Sequence, residues 1–248
     1  HEPESLKAFR YTKPINGALK KIATIMPEGM RGRSFLMRGT TPLEKRYVGN
    51  AFIFNEAEKQ KFMKHYQTQQ SFQRATEPYY EEAATYDPIT KMQFIDMHTW
   101  LNGDLLHNAD RTALAHSLEL RTPFVDREVF NLAAEIPAEL RVSHGTTKYI
   151  LRKAVEDIVP SHVLHRKKLG FPVPLRFWLK DEMYDWAKNI MLDSQTDQYF
   201  NKAYFLQLLE DHRNGLRDNS RKIWTVLTFM MWHKIYVQSD TLLDSLAA

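Results

Sequence analysis

The stretch DRTALAHSLELRTPFVD, Asp110–Asp126, carries the strongest structural signals in the chain. Its first half continues a helical pattern that starts near Asp104 and ends near Leu118. Pro123 biases the residue before it away from the helical conformation, so residues 121–126 are predicted to form an extended connector. Asp126 then has the residue type of a helix N-cap. The stretch therefore predicts a junction between two helices, the second over residues 127–135.

Acidic and basic side chains alternate through this junction. Asp110-Arg111 is followed by Glu119, Arg121 and Asp126, with apolar residues between them. A charge that is buried among apolar residues needs a partner, because an unpaired buried charge is costly. These side chains could therefore tie the two helices together by ion pairs, or they could bind a polar ligand. Spacing alone favours the ion-paired junction.

Two basic clusters follow the junction. The pattern Lys148-x-x-Leu151-Arg152 lies at the predicted start of a helix, where cations oppose the helix dipole and indicate an acidic partner. Residues 166–171, RKKLGF, place three cations beside a glycine, where like charges repel one another. A phosphate would relieve that repulsion, and lysine suits the neutralisation of a phosphate oxygen. An ordinary surface helix and a solvated loop are the alternatives.

Helical periodicity dominates the rest of the chain. Apolar spacing predicts helices over residues 15–25, 55–65, 148–158, 176–192, 202–212 and 221–236. A further apolar stripe runs from Phe94 to Leu106, with a turn or kink expected at Asn102-Gly103. Asn55 and Glu58 have the spacing of a capping box. No long strand and no alternation of strands and helices is evident, so the predicted fold class is mainly α.

Composition excludes several classes of site. The 248 residues include no cysteine, which excludes disulfides, thiolate zinc sites and cysteine nucleophiles. His162 and His165 lack an obvious third ligand, so no metal site is predicted. The apolar stretch 223–237 is shorter than the roughly 20 residues of a membrane span. The sequence has no signal or transit peptide pattern at its start, and a cytoplasmic location without membrane attachment is expected.

Charge is distributed unevenly along the chain. Residues 1–75 contain 14 Lys and Arg against 6 Asp and Glu, whereas the remaining residues have a small acidic excess. A basic front segment raises the alternative of a helical module that binds nucleic acid. Its cations are scattered, however, and no aromatic side chains alternate with them. A solvated or interdomain face is therefore favoured, and no nucleic-acid partner is expected.

The charged clusters together resemble one family, the glutamine-hydrolysing asparagine synthetases, and most closely its bacterial branch. That family carries the patterns D-R, E-x-R-x-P-F-x-D, K-x-x-L-R and R-x-K-x-G-F in this order. The chain has Asp110-Arg111, then residues 119–126 (ELRTPFVD), 148–152 (KYILR) and 166–171 (RKKLGF). Each pattern alone is weak, but all four in order are specific, and the flanking sequence extends the resemblance over most of the chain.

The resemblance implies an ATP-dependent ligase. ATP with Mg²⁺ would activate the side-chain carboxylate of aspartate as an acyl-adenylate, and ammonia released from glutamine in another domain would convert it to asparagine. Lys168 would lie against the phosphates as the catalytic cation. Candidates for substrate or ATP binding are Asp104, Arg111, Arg121, Lys148 and Arg166, the two junction arginines by ion pairing or by shaping the site. A homodimer is compatible with the resemblance.

Three family signatures are missing from these 248 residues. These are the glutaminase cysteine, the ATP-pyrophosphatase (PP-loop) string S-G-G-x-D-S and an acidic G-D-E-x-x-G-G-Y motif. The resemblance therefore predicts a partial domain: the helical part of an adenine-nucleotide-hydrolase-like α/β synthetase domain, without its sheet-forming part or the glutaminase. Its expected segments are a basic helical front (1–87), a motif-bearing segment (88–174) and C-terminal helices (175–248), inactive in isolation. The alternatives are a related amide- or β-lactam-forming synthetase and a non-catalytic helical interaction module.

Overall fold

The computed structural model of the chain describes residues 9, 13–26, 30–49, 52–67, 71–167, 170 and 173–238. These residues are mainly helical, as the sequence predicts. The helices are α1 Asn16–Ile25, α2 Arg33–Thr40, α3 Glu56–Phe62, α4 Gln73–Glu82, α5 Pro88–Asp96, α6 His107–Leu114, α7 Arg127–Glu135, α8 Ala138–Arg141, α9 Tyr149–Ala154, α10 Ser161–Leu164, α11 Leu175–Trp178, α12 Tyr184–Asp193, α13 Lys202–Arg213 and α14 Ser220–Tyr236. A π-helix, Met97–Leu106, joins α5 to α6, and short 3-10 turns cover Lys13–Ile15, Leu43–Lys45 and Pro123–Val125.

The described residues contain one small sheet. Strands β1 (Val142–Ser143) and β2 (Thr146–Thr147) pair antiparallel, with Val142 opposite Thr147. His144 and Gly145 form the two-residue turn between them, and both have positive φ, of 49° and 71°. Such a turn matches the twist of a tight hairpin. The sequence predicts the turn at Gly145 but not the two strands.

The chain divides into two compact units that are not contiguous in sequence. The first consists of residues 1–51 and 72–167, and the second of residues 52–71 and 168–248. The motif-bearing junction and hairpin belong to the first unit. The predicted division into segments 1–87, 88–174 and 175–248 describes sequence character and stays a prediction.

A partly buried polar cluster organises the first unit. The Tyr47 hydroxyl donates to Asp96 Oδ2 at 2.6 Å, and the Tyr80 hydroxyl donates to the carbonyl oxygen of Tyr47 at 2.9 Å. These bonds join the turn after Leu43–Lys45 to α4 and α5. Gly49 has φ +69°, and a Cβ there would lie 2.8 Å from Asp96 Oδ1. Glycine is therefore required beside this cluster by both conformation and space.

Arg141, at the end of α8, is joined to the start of α5. It donates to Thr90 Oγ1 at 2.6 Å and to Gln93, and it lies 3.9 Å from the carboxylate of Asp87. Asp87 caps α5 by accepting from the backbone N–H of Ile89 and Thr90. Burial alone would raise the pKa of Asp87, but its hydrogen bonds and the Arg141 charge hold that pKa below its usual value.

The second unit has the larger apolar core. Helices α12, α13 and α14 pack together, and Phe62 from α3 inserts among them. The predicted capping box is present: Asn55 accepts from Glu58 N–H, and Glu58 accepts from Asn55 N–H. Lys222 of α14 also donates to Glu58. The helix predicted over residues 176–192 is instead two helices, α11 and α12, joined by turns at residues 179–183.

A buried histidine links two helices of this unit. His212, with 3% of its surface exposed, lies 2.9 Å through Nε2 from the carbonyl oxygen of Arg176, and its Nδ1 accepts from Asn219 N–H. Because Nδ1 is the acceptor, Nε2 is the protonated nitrogen that donates.

In the part of the chain that the structure describes, no helix is long and apolar enough to cross a membrane.

Candidate active-site segment

The segment begins in the π-helix, where Asp104 bonds to one side chain of the same helix and to one side chain of α6. Trp100 Nε1 donates to Asp104 Oδ2 at 3.0 Å, and Asn108 Nδ2 donates to Oδ1 at 2.5 Å. Of the turn or kink predicted at Asn102-Gly103, the structure has no turn, because both residues lie within the π-helix Met97–Leu106. The carboxylate of Asp104 is exposed, and each oxygen keeps a free lone pair for a further donor.

Helix α6 ends in a Schellman motif closed by a serine. Leu118 N–H donates to the carbonyl of Ala113, and Ser117 N–H donates to that of Leu114. Ser117 takes φ +57°, the left-handed conformation in which glycine is usual. This ending turns the chain sharply into the connector, and Asp126 then caps α7 as predicted, through the N–H of Glu128 and Val129.

The charges of the connector pair locally. Arg121 forms an ion pair with Glu119, only two residues away, and the two side chains are 84% and 69% exposed. An exposed pair of this kind contributes about 1 kcal/mol or less to stability. Among the residues that the structure describes, no ion pair ties the two helices together, and both groups remain accessible to a ligand. Arg111 is also exposed, on α6.

Lys148 stands directly after the hairpin, with φ 57° and ψ 36°, at the N-cap position of α9. The helix is shorter than the predicted span of residues 148–158 and ends at Ala154. A left-handed conformation for a lysine is uncommon and costs free energy, so the surrounding structure must impose it. The side chain of Lys148 is exposed.

Arg152 connects the two basic clusters. Its Nε donates to the carbonyl oxygen of Thr147 at 3.2 Å, and its Nη1 donates to that of Leu164. Thr147 precedes Lys148, and Leu164 ends α10 two residues before Arg166. Arg166 is exposed and not helical. Lys168, the predicted catalytic cation, lies outside the described residues.

No hydrogen bond or ion pair joins any two of the five candidates that the structure describes, Asp104, Arg111, Arg121, Lys148 and Arg166. The connection that the structure does supply runs through Arg152, which belongs to the K-x-x-L-R pattern but is not among the site residues that the sequence predicts. The signal for it is its spacing. An arginine one turn into a helix can reach back to the carbonyl before the helix, here that of Thr147. The other carbonyl that Arg152 binds, that of Leu164, lies twelve residues further along the chain.

Apolar side chains are exposed along the same segment. Phe124 is 76% exposed and Leu132 is 67% exposed. We call this set the apolar face; its members are Leu114, Leu118, Leu120, Phe124, Val129, Phe130 and Leu132. Exposed apolar side chains concentrated in one stretch of the chain make that stretch a candidate site of interaction.

An open cavity lies elsewhere, in the second unit, and has none of the motif residues in its lining. Asp218 in that lining accepts hydrogen bonds from the N–H and hydroxyl of Ser220, the first residue of α14, and Lys222 is paired with Glu58. These polar groups already have hydrogen-bond or ion-pair partners within the second unit. Among the described residues, no three His, Asp or Glu side chains are arranged to hold a metal ion.

Comparison with known proteins identifies the family. Residues 19–234 match the family model described as asparagine synthase. The chain belongs to the asparagine synthase family. It is 54% identical over 247 residues to asparagine synthetase [glutamine-hydrolyzing] 1 of Bacillus subtilis, an alignment that covers 99% of this chain and 39% of that relative.

Further relatives are also named asparagine synthetases and are longer than the segment matched by this chain. A Mycobacterium tuberculosis protein whose name places it among the same glutamine-hydrolysing synthetases is 46% identical over 96% of this chain, which is 37% of its own length. The Gallus gallus enzyme is 34% identical over 43% of the chain and 22% of its own length. The chain thus spans about two fifths of the length of the bacterial relatives. No solved structure gives a significant match.

Proposed function

We propose that the chain is part of the synthetase domain of a glutamine-hydrolysing asparagine synthetase. The observation that carries the proposal is the alignment of 99% of the chain with a relative of that name. The ordered motifs at residues 110–171 support the same function. We further propose that these helices belong to a PP-loop α/β domain, in a cytoplasmic enzyme that assembles as a homodimer.

The proposed reaction has two steps. A carboxylate oxygen of aspartate attacks the α-phosphorus of ATP, forming an aspartyl-adenylate and releasing pyrophosphate. Ammonia derived from glutamine then attacks the acyl carbon, giving asparagine and AMP. Negative charge accumulates on the pyrophosphate in the first step, so fixed cations beside it would lower the barrier.

The described side chains suit a nucleotide better than a bare metal. Arg111, Lys148 and Arg166 are exposed cations, which match phosphate oxygens. Described acidic side chains do not form a cation cage, so Mg²⁺ would arrive with ATP or be held by other residues. We assign Lys168 to the phosphates as the catalytic cation. Asp104 and Arg121 are assigned to the substrate side of the site.

The decisive experiment uses the full-length protein that contains this segment. Aspartate-dependent release of pyrophosphate from ATP is expected, with asparagine formed when glutamine or ammonium is added. The 248-residue chain alone should release none above background, because it contains no S-G-G-x-D-S loop. If the full-length protein instead activates another carboxylate and ignores aspartate, a different amide-forming synthetase is established.

Replacement of Lys168 tests the catalytic assignment. Lys168→Ala in the full-length protein should raise the barrier for pyrophosphate release by about 3 kcal/mol, the cost of losing one group that stabilises developing charge. That corresponds to a loss of more than a hundredfold in kcat. The neighbouring Lys167→Ala variant is the matched control and should keep kcat within about threefold. An unchanged kcat for Lys168→Ala would remove that residue from the reaction.

A further inference from the structure

Arg152 contacts the backbone next to each of two cationic segments of the proposed site. Its guanidinium donates to the carbonyl oxygens of both Thr147 and Leu164. We propose that Arg152 is a positioning residue for the synthetase reaction, which sets the backbone that carries Lys148 and the backbone that leads to Arg166. The inference rests on the proposed function and deepens it.

The contact with Thr147 acts directly on Lys148. The carbonyl of Thr147 and the N–H of Lys148 belong to one planar peptide unit, so holding the oxygen fixes the plane from which the φ angle of Lys148 is measured. That angle is +57°, in a region that a lysine adopts only when its surroundings enforce it. Arg152 is among the residues that enforce it, because its Nε lies 3.2 Å from the carbonyl oxygen of Thr147.

The contact with Leu164 acts on the other basic segment. Leu164 has only 6% of its surface exposed, so its side chain anchors the end of α10 in the first unit. Its carbonyl oxygen belongs to the peptide that leads into residues 165–167, where the helix has already ended. Because Arg152 binds this oxygen, the direction in which the chain leaves α10 depends on the guanidinium.

Arginine is the side chain that suits this task. Its guanidinium presents several donors in a rigid plane, so one group can hold two carbonyls at once in a fixed relation. A lysine ammonium is a compact charge on a flexible stem and does not fix the two carbonyls in one plane. The neighbouring Lys153 illustrates the contrast, since it only forms an exposed pair with Glu156 at 3.0 Å.

The test compares Arg152→Lys and Arg152→Gln in the full-length protein with the control Lys153→Gln. We expect kcat for pyrophosphate release to fall about 10- to 100-fold in both Arg152 variants, the range that a displacement of about 1 Å in a catalytic group produces. The KM for aspartate should stay within about twofold, because the displaced cations act on phosphate charge that develops in the transition state. The control should keep both constants.

Limited trypsin digestion gives an independent readout. Cleavage after Arg166 and Lys167 should be at least about fivefold faster in the Arg152 variants than in the control, at equal thermal midpoints, because the exit from α10 has lost a fixed contact. An unchanged kcat, a KM for aspartate that rises in step with the loss of kcat, or unchanged cleavage would each overturn the proposal. An inactive wild-type protein would instead overturn the proposed function itself.

Discussion

At the scale of single residues, three non-glycine residues with positive φ mark the motif-bearing segment. They are Ser117, His144 and Lys148, and among the described residues no other non-glycine residue has positive φ. Each costs free energy relative to glycine at the same position. His144 is explained by the hairpin turn. Lys148 is instead the first residue of the K-x-x-L-R pattern, and Ser117 lies between the D-R and E-x-R-x-P-F-x-D patterns. Backbone strain of this kind often accompanies function.

Ser117→Gly should stabilise the protein. Glycine adopts the left-handed conformation without the steric cost of a Cβ, which outweighs its larger entropy loss on folding, so the free energy of unfolding should rise by about 0.5–1 kcal/mol. Urea unfolding followed by circular dichroism would measure the change. Ser117→Ala keeps the Cβ and should alter stability by less than half as much. A lower midpoint for Ser117→Gly would mean that the serine hydroxyl makes a stabilising contact.

Caps were predictable from the sequence, whereas the left-handed lysine was not. Asn55 with Glu58, and Asp126, are confirmed because their signal is local: a short acceptor side chain reaches an N–H two or three residues ahead. Lysine has no local preference for positive φ. The conformation of Lys148 depends on the hairpin and on Arg152. Arg152 in turn binds the carbonyl oxygen of Leu164, and no short sequence pattern encodes a contact between residues so far apart.

At the scale of elements, helical periodicity predicted most helices, and side-chain hydrogen bonds explain the main exception. A turn or kink was expected at Asn102-Gly103 because both residues weaken a helix. The helix continues as a π-helix, and Asp104 bonds to Trp100 on one side and Asn108 on the other. These i,i+4 bonds support the helix on both sides of the glycine. Their geometry depends on which rotamers the side chains adopt.

The contacts of α4 and α5 with the preceding turn should weaken at high pH. Burial raises the pKa of Tyr80 to about 12, with the charge of Glu44 adding to the effect. Burial and the hydrogen bond to Asp96 also raise the pKa of Tyr47. In the unfolded chain a tyrosine titrates near pH 10. Above that pH the unfolded state loses these protons first, so the free energy of unfolding falls between about pH 10 and 12.

Urea midpoints measured at pH 8 and at pH 11 would test this expectation against Tyr80→Phe. The phenylalanine variant cannot titrate at this position, so its midpoint should fall less between the two pH values than that of the wild-type protein. Lysine titration affects both proteins equally and cancels in the comparison. Equal falls in the two proteins would show that Tyr80 does not couple folding to pH.

At the scale of the whole molecule, the helical class and the family were predictable, but the grouping of the chain was not. Residues 52–71 belong with 168–248 because α3 contributes Phe62 to a core made by α12–α14. Long-range contacts such as Lys222 with Glu58, across 164 residues, hold this arrangement. No periodicity indicates which distant segment fills a given core, since every amphipathic helix offers a similar apolar face.

The apolar face should make the isolated 248-residue chain self-associate. Phe124 and Leu132 expose most of their side chains, and burying such groups is favourable by about 1.5–3 kcal/mol each. The double variant Phe124→Ser/Leu132→Ser should therefore weaken association by about tenfold or more, measured by sedimentation velocity over a range of concentrations. Leu216, 75% exposed in the second unit, gives the matched control. Leu216→Ser should leave the association constant within about twofold of the wild-type value. Equal association of all three proteins would mean that the apolar face is not the surface through which copies of the chain meet.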